Sequence, residues 1–401
     1  MVSLDDLKAL ARPASTKIVL LVLDGLGGLG RESDGKTELE AARTPNLDAL
    51  AAKGNLGLAD PVAPGITPGS GPGHLGLFGY DPLQYRIGRG VLEAVGIDQD
   101  MTDRDLAARG NFCSVDASGM ITDRRAGRIP TETCTRLARM LEGIRIPGVE
   151  LIVRPVREHR FVVLFRGDGL EEGLTETDPQ ETGKPPLPVQ AEHPSAKRSA
   201  EVANQFVAEA KKRLAQEHPA NMVLLRGFAR YPRIPRLTEI YGVRAAVIAV
   251  YPMYRGLAKL VGMQAIQTGD TVADEVTALG SVFDQFDFFF VHVKKTDSAG
   301  EDGNFDRKVS VIEEADAQIP RILALKPDVL VVTGDHSTPA GFKAHSWHPV
   351  PVLLTSKWCR PDGAPAFSER ECRFGSIGHL PAAALMPLMM GYAERLTKFG
   401  A

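Results

Sequence analysis

A chain of 401 residues, 43% of them hydrophobic, exceeds the size at which one core stops growing, so two domains are expected. Its 47 basic and 50 acidic side chains give a formal charge of -3, which argues against nucleic acid or a membrane surface as partner and confines any positive region to a local patch. The longest apolar runs, 18–23 and 286–293, fall far short of the roughly 20 residues that span a bilayer. The segment 1–11 has neither a basic start nor a long apolar run, so a cytoplasmic protein is expected. Cys113, Cys134, Cys359 and Cys372 are scattered and suggest neither a zinc knuckle nor a disulfide framework.

In chain order, the first strand is expected over 17–23 and a helix over 45–53. A glycine- and proline-rich segment, 65–74, then opens a helix running to about residue 78. The stretch from about 98 to 242 reads differently. It is rich in arginine, has short strand candidates at 151–153 and 160–165, and carries a polar connection over 178–194. An amphipathic helix is expected over 196–217, with Val202, Phe206, Ala210 and Leu214 on one stripe and Pro219 beyond its end. Further strands are expected over 244–251, 286–293, 328–332 and 350–355, interleaved with helices over 271–283, 304–323 and 380–398. Apolar runs of this length alternating with helices indicate a doubly wound α/β core covered on both faces. The expected organisation is a discontinuous core, 1–97 and 243–401, with an inserted α+β lid domain over 98–242.

Three of the core strands end on or just before an aspartate: Asp24, Asp297 and Asp335, the last followed by His336. In open α/β sheets the ligand site lies off the carboxyl ends of the strands, so residues far apart in sequence can meet there. One aspartate before a glycine is more usually a turn former; three at equivalent strand ends point to a cation, because close carboxylates without one would repel. Carboxylate with imidazole suits zinc, manganese or a similar divalent ion. His345 and His348 precede the strand at 350–355, and of the two His345 is taken as a ligand.

Ser70 lies in Gly65-Ile66-Thr67-Pro68-Gly69-Ser70-Gly71-Pro72-Gly73-His74. Glycines let the backbone approach an anion, and Pro72 suits a first helical turn, which places Ser70 at the N-cap, where free amides favour phosphate. A capping serine needs no chemistry. Beside a metal cluster, however, serine becomes a candidate nucleophile, since it needs a base or a metal to react at neutral pH.

Taken together, Val-Leu-Asp-Gly-Leu-Gly-Gly around Asp24, the Ser70 segment, Asp123-Arg124-Arg125-Ala126-Gly127-Arg128, Lys295-Thr296-Asp297-Ser298-Ala299-Gly300 and Thr333-Gly334-Asp335-His336-Ser337-Thr338-Pro339 resemble the archaeal-type cofactor-independent phosphoglycerate mutases of the alkaline phosphatase superfamily. The likeness spans nearly the whole chain and keeps the motif order. It implies interconversion of 3- and 2-phosphoglycerate through a phosphoserine, two divalent metal ions (Mn2+, Zn2+, Co2+ or Mg2+) and no 2,3-bisphosphoglycerate. One metal would be held by Asp24, Ser70, Asp335 and His336, the other by Asp297, His345 and a histidine four residues after Asp297. That position is Glu301 here, which makes the second shell richer in oxygen; His348, nearby in sequence, is the alternative ligand. The resemblance also makes Arg124, Arg125, Arg128 and Arg226 candidates for the substrate carboxylate and phosphate. Asp123 becomes a candidate proton shuttle. Arg255, Lys259 and His74 are further candidate contacts, His74 equally a structural residue of the first turn. The partner implied is a small phosphoglycerate, and a homo-oligomer is left open.

Two other outcomes fit the same motifs. Water could resolve the phosphoserine, giving a metal-dependent phosphatase or phosphodiesterase, or Glu301 could mark a phosphometabolite-binding protein without turnover.

Overall fold

The apolar run after Lys17 forms strand β1 (Ile18–Leu23), all six of whose residues are buried. In the computed structural model, which describes residues 2–400, β1 lies inside an eight-stranded sheet. The remaining strands are β2 (Asn55–Asp60), β3 (Asp105–Val115), β4 (Ile121–Asp123), β5 (Glu150–Arg157), β6 (Arg160–Arg166), β7 (Met222–Arg230), β8 (Ala245–Ala249), β9 (Gln264–Ile266), β10 (Phe288–Val293), β11 (Val329–Thr333), β12 (Val350–Ser356) and β13 (Gly378–Pro381). The chain divides into two compact units, one formed by residues up to Arg86 with those from Ile234 onward, the other by Ile87–Arg233. These limits differ from 97 and 243 for a packing reason. The helix Arg89–Gly96 lies on β3 and β7, and the helix Leu237–Tyr241 lies on the helix Leu4–Leu10.

In the first unit the strand order is β13-β2-β12-β11-β1-β10-β8-β9. β1 runs parallel to β10 and β11, and β10 parallel to β8, whereas β12 is antiparallel to β11 and β2. Every residue of β1, β8, β10 and β11 is buried, as both faces are covered. The helix Val272–Val282 packs on β8 and β10, while Pro252–Leu260 packs on β8 and Leu385–Tyr392 on β11. The register pairs Leu23 with Val293 and Val22 with Thr333. The residues that follow these strands therefore leave the sheet along one edge, which brings Asp24, Asp297 and Asp335 together.

Two helical expectations change. The 304–323 pattern is two helices, Phe305–Asp316 and Ile319–Ala324; Pro320, lacking an amide hydrogen, is accommodated in the first turn of the second. The 380–398 pattern is the end of β13, a 3-10 turn over Ala382–Ala384 and the helix Leu385–Tyr392, because Leu380 and Pro381 pair with β2.

The second unit is an antiparallel sheet in which β3 is flanked by β6 and β7, with β5 on β6 and β4 beside the end of β3. Helices Thr131–Glu142 and Lys197–Leu214 bury Leu137, Leu141, Val202, Phe206, Ala210 and Leu214 with Phe161, Val163 and Phe165 of β6. This is the α+β insert expected from the sequence. No helix among the described residues is long and apolar enough to cross a membrane.

Candidate functional site

Asp24 directly follows β1, and Asp335 and His336 follow β11 after one glycine. Nε2 of His336 lies 3.2 Å from Asp24 Oδ1 and 3.1 Å from Asp335 Oδ2, with all three side chains fully buried. Ser70 Oγ lies 3.4 Å from the same nitrogen. Ser70 is the first residue of the helix Ser70–Leu77 and Gly69 is its N-cap, one position earlier than the sequence suggested. The helix comes close because Gly73 has no side chain: a Cβ there would sit 2.3 Å from the Asp335 carbonyl oxygen. Glycine thus permits contact with the protein's own backbone at this position.

Asp297, in the first turn of the helix Lys295–Glu301, builds an adjoining group. His345 Nε2 is 3.6 Å from Asp297 Oδ1 and 3.8 Å from Glu301 Oε1, and the His345 ring stacks on His336 with centroids 3.6 Å apart. His345 Nδ1 is 2.9 Å from the Pro68 carbonyl, which can only accept. That contact places the proton on Nδ1 and leaves the lone pair on Nε2. Thr338 performs the same service for His336. Its hydroxyl donates to Asp297 Oδ1 at 2.6 Å and lies 2.9 Å from His336 Nδ1, so Nδ1 donates to Thr338 and Nε2 is the nitrogen turned toward the carboxylates. Burial opposes a charged ring, but Asp335 and Asp24 raise the His336 pKa. Glu301 is half-exposed. His348 bonds Ser346 Oγ through Nδ1 at 3.0 Å and lines a different cavity with Glu40 and Arg370.

Lys294, whose position the sequence left unremarked, bridges the groups: Nζ is 3.1 Å from Asp24 Oδ2 and 2.5 Å from Asp297 Oδ2. Burial opposes ionisation of Asp24, but its contacts with His292 and His336 and the charge of Lys294 hold its carboxyl well below the usual range. Burial and then the Asp24 charge push Asp335 well above it. Both oxygens of Asp24 and Oδ2 of Asp335 are buried without a well-aligned hydrogen bond, and Lys294 and the neighbouring imidazoles are the positive or polar groups that meet them at 3.1–3.3 Å. Asp24, Asp335 and His336 each offer an atom within 4.8 Å of the others, as do Asp297, His336 and His345. Oxygen and nitrogen donors so arranged fit divalent cations.

His74 is fully buried behind Ser70 rather than presented to a ligand. Its Nδ1 is 2.7 Å from the Ser70 carbonyl and 3.2 Å from Asp335 Oδ2, and its ring packs with Tyr254, Phe290 and His292. Burial holds both His74 and His292 below the usual imidazole range. Arg255 donates to the Val250 carbonyl at 3.4 Å, and Lys259 is exposed one turn further along the helix Pro252–Leu260.

Within the second unit, a cavity of about 420 Å³ is lined by seven arginines, Arg89, Arg109, Arg124, Arg125, Arg128, Arg160 and Arg226, together with Asn111 and His159. It gathers all four arginines expected from the sequence. Arg124 makes two bonds to Asp178, at 2.9 and 2.7 Å, and Arg226 bonds Glu176 at 3.0 Å. Burial lowers Arg109, with Arg160, Arg89 and Arg226 reinforcing the effect against the pull of Glu93. Burial and Arg160 bring His159 down to about 4. Ala126, Gly127 and Arg128 all have positive φ, of 47°, 64° and 53°, a conformation that non-glycine residues adopt at a cost. Asp123 holds this turn. Its two oxygens accept from the amides of Arg125 at 2.8 Å and Gly127 at 2.6 Å.

A family model described as 2,3-bisphosphoglycerate-independent phosphoglycerate mutase matches residues 51–221. The chain is 54% identical to a protein of Thermotoga neapolitana over 388 residues, 96% of each chain, and 51% identical to one of Thermus thermophilus over 98% of each. Both relatives are named "probable 2,3-bisphosphoglycerate-independent phosphoglycerate mutase". Among solved structures, a protein from Pyrococcus horikoshii is similar with a TM-score of 0.82 and 31% identity, over 97% of this chain and 100% of that one. The cofactor-independent phosphoglycerate mutase from Thermoplasma acidophilum gives 0.77 and 30%, over 94% and 100%. With this identity sustained over nearly its whole length, the chain belongs to the family of 2,3-bisphosphoglycerate-independent phosphoglycerate mutases.

Proposed function

We propose that this protein interconverts 3-phosphoglycerate and 2-phosphoglycerate, a step of glycolysis and gluconeogenesis, by passing the phosphoryl group through Ser70. The observation that carries the reading is the position of the Ser70 hydroxyl at a helix start, 3.4 Å from a histidine nitrogen flanked by two buried carboxylates. Family membership supports it and removes any need for 2,3-bisphosphoglycerate as a phosphoryl reservoir.

Asp24, Ser70, Asp335 and His336 are the residues we assign to one divalent cation, and Asp297, His345 and Glu301 those assigned to a second. Bound there, such ions would lower the pKa of the Ser70 hydroxyl and neutralise the phosphoryl oxygens. In the forward half-reaction the Ser70 hydroxyl gives up its proton and Oγ attacks phosphorus as the bond from phosphorus to the glycerate oxygen breaks, that oxygen taking up a proton. Glycerate then offers its other hydroxyl, which loses its proton as it attacks phosphorus, and the bond to Oγ breaks, Oγ regaining its proton. Free amides in the first turn of the Ser70–Leu77 helix favour the phosphate. Lys294 offers positive charge beside both carboxylate groups.

Arg124, Arg125, Arg128 and Arg226 of the inserted unit are assigned to the substrate's carboxylate and phosphate, and Arg89, Arg109 and Arg160 join them because they line the same cavity. Arg255 and Lys259 remain additional candidates in the first unit. Asp123 sets the shape of the arginine turn; the lone pairs left on its oxygens keep it the candidate for carrying the proton between the two hydroxyls.

Incubation of the metal-loaded protein with 3-phosphoglycerate tests the reading: 2-phosphoglycerate should accumulate without release of inorganic phosphate. Phosphate released without 2-phosphoglycerate would instead mean that water resolves the phosphoserine. Binding without turnover would leave a phosphometabolite-binding protein.

A further inference from the structure

Two loops carry three of the candidate metal ligands, the one after β1 with Asp24 and the one after β11 with Asp335 and His336. They are stitched together by backbone: the Thr338 amide lies 3.2 Å from the Gly25 carbonyl and 3.1 Å from that of Gly27, and Ser337 forms bridges with Leu26 and Gly27. At this seam stands Lys308, from the helix Phe305–Asp316. Its side chain is fully buried, and Nζ donates to the Thr338 carbonyl at 2.9 Å and the Gly27 carbonyl at 3.1 Å. Glu38 Oε1 is 3.8 Å from Nζ. The same oxygen accepts from the Ala340 amide at 2.7 Å, which ties down the loop two residues beyond Thr338.

A buried ammonium is expensive, and an apolar side chain of similar volume is often at least as stabilising. What an apolar side chain cannot do is hold two carbonyls from separate loops at one point. Thr338 is where that matters, since its hydroxyl fixes both Asp297 Oδ1 and the Nδ1 proton of His336.

We infer that Lys308, with Glu38 as its counter-charge, is a positioning residue for the metal centre: it locks the Gly27–Thr338 seam and thereby the Thr338 hydroxyl that sets the tautomer of His336 and the orientation of Asp297. The inference rests on the reading that divalent cations bind at these residues. Groups behind metal ligands commonly change affinity by about 10- to 100-fold when removed.

The test uses the full chain freed of metal. Lys308→Met keeps the length of the side chain and removes its charge and donors. Co2+ is titrated in and followed by its visible d–d absorption, and the Zn2+ dissociation constant is obtained by competition with a chromophoric chelator. With native near-ultraviolet circular dichroism retained, Lys308→Met should weaken Zn2+ binding by about 10-fold or more and alter the Co2+ band. A purely structural role would lower thermal stability and leave that band unchanged. Glu38→Gln preserves the acceptor for Ala340 and removes the counter-charge, so it should shift both readouts the same way by a smaller factor, and it decides the matter if Lys308→Met does not fold. Combining Lys308→Met with Thr338→Val should give less than the product of the separate losses, since both act through one hydroxyl. Unchanged metal affinity and an unchanged Co2+ spectrum in the folded variants overturn the inference. A native protein that takes up no Co2+ overturns the metal reading itself, and this inference with it.

Discussion

The Ser70 hydroxyl oxygen lies 3.4 Å from Nε2 of His336, the nitrogen that also faces Asp24 and Asp335. Serine alone is a weak nucleophile at neutral pH, so this placement gives Ser70 chemistry only if the same group of residues activates it. Ser70→Ala removes the attacking oxygen and leaves the helix start intact, because the N-cap is Gly69. Phosphoenzyme, detected with labelled substrate, should disappear, and turnover should fall by at least about 10⁴-fold, with the thermal midpoint nearly unchanged. Turnover retained in Ser70→Ala would remove Ser70 from the mechanism.

The arginine cavity makes a separate prediction. Arg124 and Arg226 are already paired with Asp178 and Glu176, so the charge offered to an incoming anion falls more to the other arginines of the cavity, Arg125 and Arg128 among them. Each replaced by alanine should raise KM for 3-phosphoglycerate by roughly 10-fold or more, with a smaller effect on kcat, as expected for a charge-assisted contact made in both ground and transition states. Steady-state kinetics with unchanged KM in both variants would show that the cavity does not take the substrate.

Much of the core was legible because β1, β8, β10 and β11 are buried on both faces and so read as unbroken apolar runs, each short enough to be a strand. Their terminal aspartates could be grouped for the same reason. β2 was invisible. Asn55, Gly57 and Asp60 interrupt it, and Gly57 is there because a Cβ would lie 2.6 Å from the Gly378 carbonyl of β13, a neighbour unknown to local pattern. His74 was left open between a substrate contact and a structural residue of the first turn, because its short helix buries nearly every position from Gly71 to Leu77 and no periodicity reveals which way the imidazole faces. Arg109 and Arg160 sit on strands, where arginine ordinarily suggests solvent; their gathering depends on the pairing of β3 with β6. Thr338 and Lys308 act on partners that are carbonyls or side chains of distant segments, which leave no signature in composition or spacing.

Glu275 gives a prediction about pH and stability away from the site. It lies on the helix Val272–Val282, 2% exposed, and burial pushes its carboxyl up to about 8, against the pull of Lys295 and with the charge of Asp274 adding to it. An unfolded chain would titrate it near the ordinary glutamate value, so between that value and about 8 the folded state binds more protons than the unfolded state. Stability from this group is therefore present at low pH and falls as pH rises through that window. Glu275→Gln imitates the protonated form. It should stabilise the protein at pH 8 by roughly 2 kcal/mol, discounted for relaxation around the charge, and the gain should vanish near pH 4. Thermal midpoints of both proteins measured across that range check it; a gain that grows on acidification would reverse the assigned sign.

Glu301 is where this chain departs from the histidine that its resemblance implied, and the geometry shows what the change can do. Its Oε1 is 3.8 Å from His345 Nε2, close enough for both to meet one cation, while the side chain stays half-exposed. Asp297 with His345 and Glu301 is then a set of two carboxylates and one imidazole. Such a set favours the oxygen-preferring ions manganese and magnesium more than a set with two imidazoles would. Glu301→His should shift the order of activation toward zinc and cobalt and tighten Zn2+ binding at the second site, by about 10-fold if the imidazole reaches the ion as the carboxylate does. The variant must be compared with the native protein at matched free metal concentration, because the group of Asp24, Asp335 and His336 is unchanged and should keep its own affinity. Two transitions in a Zn2+ titration, of which only one moves, would identify Glu301 as a ligand. Identical titrations and identical activation profiles would exclude it from the shell and leave Asp297, His345 and solvent to complete the second centre.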